Sequence, residues 1–379
     1  MKLTTLADAE AALAPYGYDP ALQARFAARA KSGQTDNTVK GALQPLPESS
    51  LVKLPAPNTP ERQKLRDEGM ALVRQKKVGV VVLAGGMATR FGGVVKAVVP
   101  AHGSTSFLEL KHNDISQLAA HAGGVIPTFV MSSFATHDVI EAHVAERGLN
   151  TAAAPVEVFS QKVALRLTPA GELFVDADGE LSPSATGHGD LVAALRSSGV
   201  LKRFRDGGGT MLFMTNVDNL GATLDPAIVA LHARSGAAIT AEVVRKWAGD
   251  AGGAPAMLNG TPQIIEGFRF PKDFDQGTIG VFNTNTFTLD AAAIDRDFEL
   301  PYYRVEKKVD GQTVVQFERL VGELTAFLPS QFVEVERSGP DSRFIAVKDP
   351  SDLERQQAII DQVTRSKRSI RDLTPEELG

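Results

Sequence analysis

A run of apolar residues, VVLA at 81–84, ends abruptly in Gly85 and Gly86. Arg90 follows, then Gly92 and Gly93, then Lys96. Glycines at a strand's C-terminal end let backbone N–H groups approach a ligand and form an anion-binding hollow. Two cations beside them point to phosphate or nucleotide binding; without them the same glycines read as a tight strand-to-helix connection. The spelling GGMATRFGG then VVK fits neither G-x-G-x-x-G nor G-x-x-x-x-G-K-[ST], so the two commonest nucleotide loops are excluded. Further along, TMLFMTNVDN puts Asp218 between Asn216 and Asn219 at the end of an apolar run. A carboxylate there either caps the following turn or suits Mg²⁺, which takes few protein ligands. Asn283 and Asn285 alternate along FNTNTF, and paired amides on one strand face suit sugar hydroxyls. His188 stands between Gly187 and Gly189, so its ring is free of neighbouring side chains and can lie against a ligand.

Elements must hold these residues in place. Six apolar runs, VGVVVLA, VIPTFVMSS, VEVFSQ, TMLFMTNVDN, AITAEVV and IGVFNTNTFTL, read as strands. Helices are expected at 106–122, 136–147, 190–205 and 226–235, between the runs. Alternation of this kind means an α/β fold with a mostly parallel sheet covered by helices, binding its ligand beyond the C-terminal strand ends. Three hairpins are inserted: LRLTPAGELFVDADGELSP, PAMLNGTPQIIEG and YYRVEKKVDGQTVVQFE, the last turning at Asp310–Gly311. Asp19 and Pro20 open a helix near the start, and Thr59 and Pro60 open another running to about 76. Between them a proline-rich stretch reads as a linker or an extended strap. The expected organisation is a helical N-terminal segment with its strap, 1–76; a nucleotide- and sugar-binding domain, 77–300; and an α+β segment, 301–379, that completes the site.

Composition narrows the class. The chain has 379 residues, 43% hydrophobic, and a net charge of −5, without the basic excess of a nucleic-acid binder. It has no cysteine, which excludes disulfides, zinc thiolates and a cysteine nucleophile. Asp8 and Glu10 interrupt what would be a signal-peptide core, and no apolar run approaches the roughly 20 residues of a membrane span. A soluble, unexported, cytoplasmic protein without membrane partners is expected.

LAGGMATRFGG with its lysine resembles the L-[AN]-G-G-x-G-T-x-x-G…K signature of sugar-1-phosphate nucleotidyltransferases. Downstream, TGHGDL at 186–191, TNVDNLGATLD at 215–225, FNTNTF at 282–287 and SRFIAVK at 342–348 are similar, in order, to segments of the UDP-glucose pyrophosphorylase family. The resemblance spans roughly 78–353 and implies a nucleotidyltransferase-type, Rossmann-like mixed sheet. It implies transfer of a uridylyl group from UTP to a sugar-1-phosphate, most closely glucose-1-phosphate, with Mg²⁺ as cofactor. Leu83, Ala84, Gly85, Gly86, Met131, Gln161 and Gly187 would then bind the nucleotide, Gln161 by its amide at the uracil edge. His188, Asn216, Glu266, Asn283 and Asn285 would bind the sugar. Lys96, Arg90 and Lys348 would handle phosphate charge, and Asp218 would hold the metal.

Three departures stand out. Ala88 replaces the signature's third glycine, so the loop uses an ordinary backbone angle there or is strained. Val95 replaces the proline before Lys96, in a segment one residue shorter. With so few residues after Lys348, the chain is expected to lack the family's C-terminal β-helix, so no oligomeric state carries over. The spelling of the first loop leans towards the N-acetylhexosamine enzymes, the two longer motifs towards the glucose enzymes. A broad-specificity enzyme and a nucleotide-sugar binder without catalysis are the remaining alternatives.

Overall fold

The computed structural model describes residues 2–33, 36–88, 91–247, 249–250 and 252–372. Eight strands build its main sheet: β1 (Leu51–Lys53), β2 (Val78–Leu83), β3 (Thr128–Ser132) and β4 (Val156–Ser160), then β5 (Met211–Asn216), β6 (Ile239–Arg245), β7 (Val281–Asp290) and β8 (Ser330–Glu334). Their spatial order is β1-β8-β6-β7-β5-β2-β3-β4. All pairings are parallel except those of β7 with β5 and β6. The six expected strands are therefore present. The proline-rich strap supplies β1, and β8 from near the C-terminus joins it to the sheet.

β2 is buried along its whole length, and its side chains alternate between two cores. Val78, Val80 and Val82 pack with α3 (Pro60–Arg74), α4 (Phe107–Ala122) and α5 (His137–Glu146). Val81 and Leu83 pack on the opposite face with α6 (Leu191–Ser197) and α7 (Val200–Asp206). A strand buried on both faces has no polar face to spare, hence its unbroken apolar run. The single helix expected over 190–205 is two helices, because Gly199 takes a left-handed φ of 76° and ends the first.

Two caps are the expected ones, at Asp19 and Thr59, and a third at Ser106 appears only in the structure. Asp19 caps α2 (Pro20–Lys31), Thr59 caps α3, and Ser106 with Glu109 makes a reciprocal capping box on α4. α1 (Leu6–Leu13) precedes these. The turn Asp310–Gly311, both at positive φ, joins Tyr303–Val309 to Gln312–Glu318. This hairpin does not join the main sheet. Val315 pairs with Leu167, and Phe317 stacks on Phe26 of α2 at 4.6 Å between ring centres. α8 (Pro226–Ser235) and α9 (Pro350–Asp372) complete the helices named here, and none in the described residues is long and apolar enough to cross a membrane.

Candidate active site

The C-terminal ends of β2, β3, β4 and β5 open into a cleft of about 710 Å³. Its floor begins with the glycine-rich loop. The Ala84 N–H is taken by the Met131 carbonyl, and Ser133 Oγ donates to the Gly85 carbonyl at 2.9 Å. A β-carbon on Gly85 would fall 2.1 Å from Gln161 Nε2, so only glycine lets that amide lie on the loop. Gln161 is 6% exposed, and its Oε1 has no hydrogen-bond partner. A buried acceptor left open at a cleft wall suits a ligand donor. Beyond Gly86, Met87–Ala88 pairs with Val94–Val95 as a small antiparallel ribbon, so Ala88 occupies an extended position. Gly92 and Gly93 have φ of 85° and 80°. Arg90 lies outside the described residues.

Lys96 follows this ribbon and donates to Asp218 Oδ2 at 2.7 Å and to the Val347 carbonyl. Cation and carboxylate thus neutralise one another, and Lys96 ties the loop after β5 to the 342–348 segment. Asn219 makes the same tie from within: its Oδ1 accepts from Ile345 N–H at 2.9 Å and its Nδ2 donates to the Arg343 carbonyl. Buried Arg343 forms two hydrogen bonds of 2.6 Å with Glu242. Buried Lys111 donates to the carbonyls of Asn219 and Ala222. The two long motifs are thus interlocked, and Asn219 and Arg343 build the site without lining it. Lys348 is exposed and does not line the cleft; its N–H donates to Asp352.

His188 lines the cleft, and its Nδ1 accepts from Val321 N–H at 3.1 Å. Burial pushes its pKa down to about 4. It is therefore neutral near pH 7, with its proton on Nε2 and available to a ligand. The flanking glycines answer a different need from the one expected. β-Carbons on Gly187 and Gly189 would each lie 2.5 Å from the Arg319 backbone, so both glycines are needed to admit that backbone segment beside the cleft. Buried Asp190 accepts from Arg319 Nε and Lys162 N–H and locks that approach.

Asn216 lines the cleft, and its Oδ1 accepts from Asn285 Nδ2 at 2.9 Å. Asn285 owes its direction to a bulge: Ala241 faces Phe287 but Val243 faces Asn283, and Asn285 has φ of 55°. A bulge re-aims a side chain, and asparagine tolerates this backbone. Asn283 Oδ1 accepts from Asn285 N–H. Neither asparagine lines the cleft, nor does Glu266; they lead outward from Asn216. Leu83, Gly85, Gly86, Met131, Gln161 and Gly187 do line it, while Ala84 is buried behind them.

Sequence reading missed one wall. Arg166, Lys307, Gln316 and Glu318 line the cleft. Arg166 donates to Gln316 Oε1 at 3.1 Å and to Ser182 and Pro183. Burial lowers its pKa, and the Glu318 charge opposes this. The hairpin was legible from its Asp-Gly turn, but its docking on Leu167 is a long-range contact with no local signal. Among the described residues, no group of three His, Asp or Glu is arranged to hold a metal. Asp218 instead offers one carboxylate at the cleft, which fits Mg²⁺ that draws its other ligands from water and phosphate.

The profile described as UTP–glucose-1-phosphate uridylyltransferase matches residues 23–368. The chain belongs to the UTP–glucose-1-phosphate uridylyltransferase family. A family enzyme of that name from Pyrus pyrifolia is 29% identical over 317 residues, 79% of this chain and 64% of its own. The chain spans about six-tenths of the length of the curated family relatives it matches. Its fold is shared by UDP-glucose phosphorylase of Trypanosoma brucei (TM-score 0.72, 22% identity, 87% of this chain and 73% of that one). It is shared equally by the UDP-N-acetylglucosamine pyrophosphorylase of the same organism (TM-score 0.72, 17% identity, 94% and 80%). Backbone likeness thus identifies the scaffold and leaves the sugar to the side chains.

Proposed function

We propose that this chain transfers the uridylyl group of UTP to glucose-1-phosphate. An oxygen of the sugar phosphate attacks the α-phosphorus, the bond from that phosphorus to its bridging oxygen breaks, and pyrophosphate leaves. The observation that carries the reading is the unpartnered Gln161 Oε1 beside Gly85, in one cleft with Lys96 and Asp218. An acceptor for the uracil N–H and charges for a triphosphate are what such a substrate requires. Transfer of this kind needs positioning and neutralisation more than a nucleophilic side chain. The names of the curated relatives favour glucose as the sugar.

In this reading the Gly85 and Gly86 backbone receives the nucleotide. Lys96 exchanges Asp218 for phosphate oxygens when substrate arrives. Asp218, so released, would hold Mg²⁺, which supplies charge neutralisation on the phosphates. His188 offers its Nε2–H to the sugar or its phosphate, and Asn216 contributes its amide. Lys348 follows the carbonyl that Lys96 holds, and its freedom allows it to meet the sugar phosphate once Lys96 lets go. Without cysteine the chain needs no oxidising compartment, and we place the reaction in the cytoplasm.

The test is pyrophosphate release from UTP and Mg²⁺ with glucose-, galactose- and N-acetylglucosamine-1-phosphate. Preference for glucose-1-phosphate supports the proposal; release with none of them, from protein that binds UTP, overturns it.

A further inference from the structure

Glu266 follows the strand Thr261–Ile265 and begins the turn Gly267–Arg269. Its carboxyl packs against Gly253, where a β-carbon would fall 3.0 Å from both oxygens. The Gly253 carbonyl takes the Asn283 N–H at 2.8 Å, so Glu266 stands at the outer end of the polar path from Asn216. On another side lies the short helix Val321–Ala326. A β-carbon on its Gly322 would be 3.6 Å from Glu266 Oε1. The next residue, Glu323, is 4% exposed and pairs with Arg269 at 2.5 Å. The same helix sends Val321 N–H to His188, and Thr325 Oγ1 accepts the Ile264 N–H. One turn of chain therefore braces both His188 and the strand that ends at Glu266. Glu323 and Arg269 do not line the cleft. Burying a carboxylate is costly even with Arg269 and the Tyr303 hydroxyl beside it, so this acid is a poor choice for packing alone.

We propose that Arg269 and Glu323 are positioning residues of the sugar subsite: their ion pair sets where the Glu266 carboxyl stands and how well it accepts from a sugar hydroxyl. This rests on the proposed transfer to a sugar phosphate and takes Glu266, set behind Asn216 and off the cleft surface, as an acceptor for the sugar. Burial and then the Glu323 charge push the Glu266 pKa up to about 7, while Arg269 pulls it down. Tyr303, with its ring 5.2 Å from the Arg269 guanidinium, faces the same acids: burial, then the Glu323 charge and lastly that of Glu266, push its pKa up. The carboxylate accepts with both oxygens and its charge strengthens each bond, whereas the protonated acid is a weaker acceptor, so the glucosyl contribution to binding rises as pH climbs through about 7.

The experiment measures binding of UDP-glucose and of the methyl ester of UDP by calorimetry across neutral pH; neither carries the titrating terminal phosphate that UDP itself has, so the ratio of affinities isolates the sugar. In wild type the ratio rises with pH. Glu323→Gln removes a like charge and moves the rise to lower pH. Arg269→Met removes an opposite charge and moves it to higher pH, while Arg269→Lys restores the wild-type course. At each pH, affinity for the methyl ester is the same in every variant as in wild type. Glu266→Gln abolishes the rise. Should Arg269→Met not fold with Glu323 unpaired, the double variant R269M/E323Q moves the rise to lower pH, because Glu323 acts more strongly than Arg269. Midpoints that stay put, or that move the same way in both single variants as a packing defect would make them, overturn this proposal alone. A wild type that binds UDP-glucose no tighter than the methyl ester of UDP overturns the glucosyl reading with it.

Discussion

Gln161 carries an acceptor that the folded chain leaves unused. Such a group lowers stability and is retained where a ligand satisfies it. Gln161→Met should therefore weaken UTP binding about tenfold while leaving the melting temperature unchanged or higher. A variant that binds UTP normally would remove Gln161 from the base site. Asp218 and Lys96 make the complementary case, since each satisfies the other before any substrate arrives. Asp218→Asn keeps the shape and removes the charge. It should cut pyrophosphate release by roughly a thousandfold or more, the scale of a charge-neutralising group in such a step. Circular dichroism and urea unfolding should be nearly unaltered, because the carboxylate is partly exposed. Near wild-type turnover would refute the metal role. Lys348→Ala separates freedom from irrelevance: it should lower kcat and spare stability, and an unchanged kcat would remove it from the mechanism.

Among the elements, the turn that carries His188 has the least room. Gly187→Ala sets a β-carbon against the Arg319 backbone, in a residue at φ 91°. We expect about 2–3 kcal/mol of destabilisation in urea unfolding, from overpacking and left-handed strain together. Because Arg319 leads directly to the helix that holds His188, the KM for sugar-1-phosphate should rise more than the KM for UTP. Equal effects on both would mean that the turn serves the whole cleft. The bulge at Asn285 is a second device of this kind. It turns what the two-residue period reads as a pair of equivalent amides into one that reaches Asn216 and one that braces it.

Across the whole molecule, pH acts through buried histidine. His232 Nδ1 is hydrogen-bonded to Thr240 Oγ1 at 2.8 Å, and that oxygen accepts from Gln331 Nε2. Burial holds its pKa down to about 4, against 6.5 for the ordinary group. The unfolded chain binds this proton below about 6.5 and the folded chain only below about 4. Stability is therefore complete above the upper value and falls between the two, by roughly 3 kcal/mol for this group. His188 acts in the same direction, whereas Glu266, raised to about 7, contributes stability that is lost as pH rises. Urea unfolding at mildly acid and at neutral pH should show the fall, and His232→Gln should make it smaller. By itself the sequence determined the strands, their mostly parallel sheet, two of the caps and the residues of the cleft floor, because each rests on local period, turn chemistry or a contiguous motif. Tertiary structure alone decided that Gly187 and Gly189 admit the Arg319 backbone and that Arg166 and the 303–318 hairpin form a wall. It also decided that Lys96 joins Asp218 to Val347 and that Glu323 reaches Glu266's turn. Those contacts span tens to hundreds of residues, and long-range approach follows from how the elements pack, which no local pattern encodes.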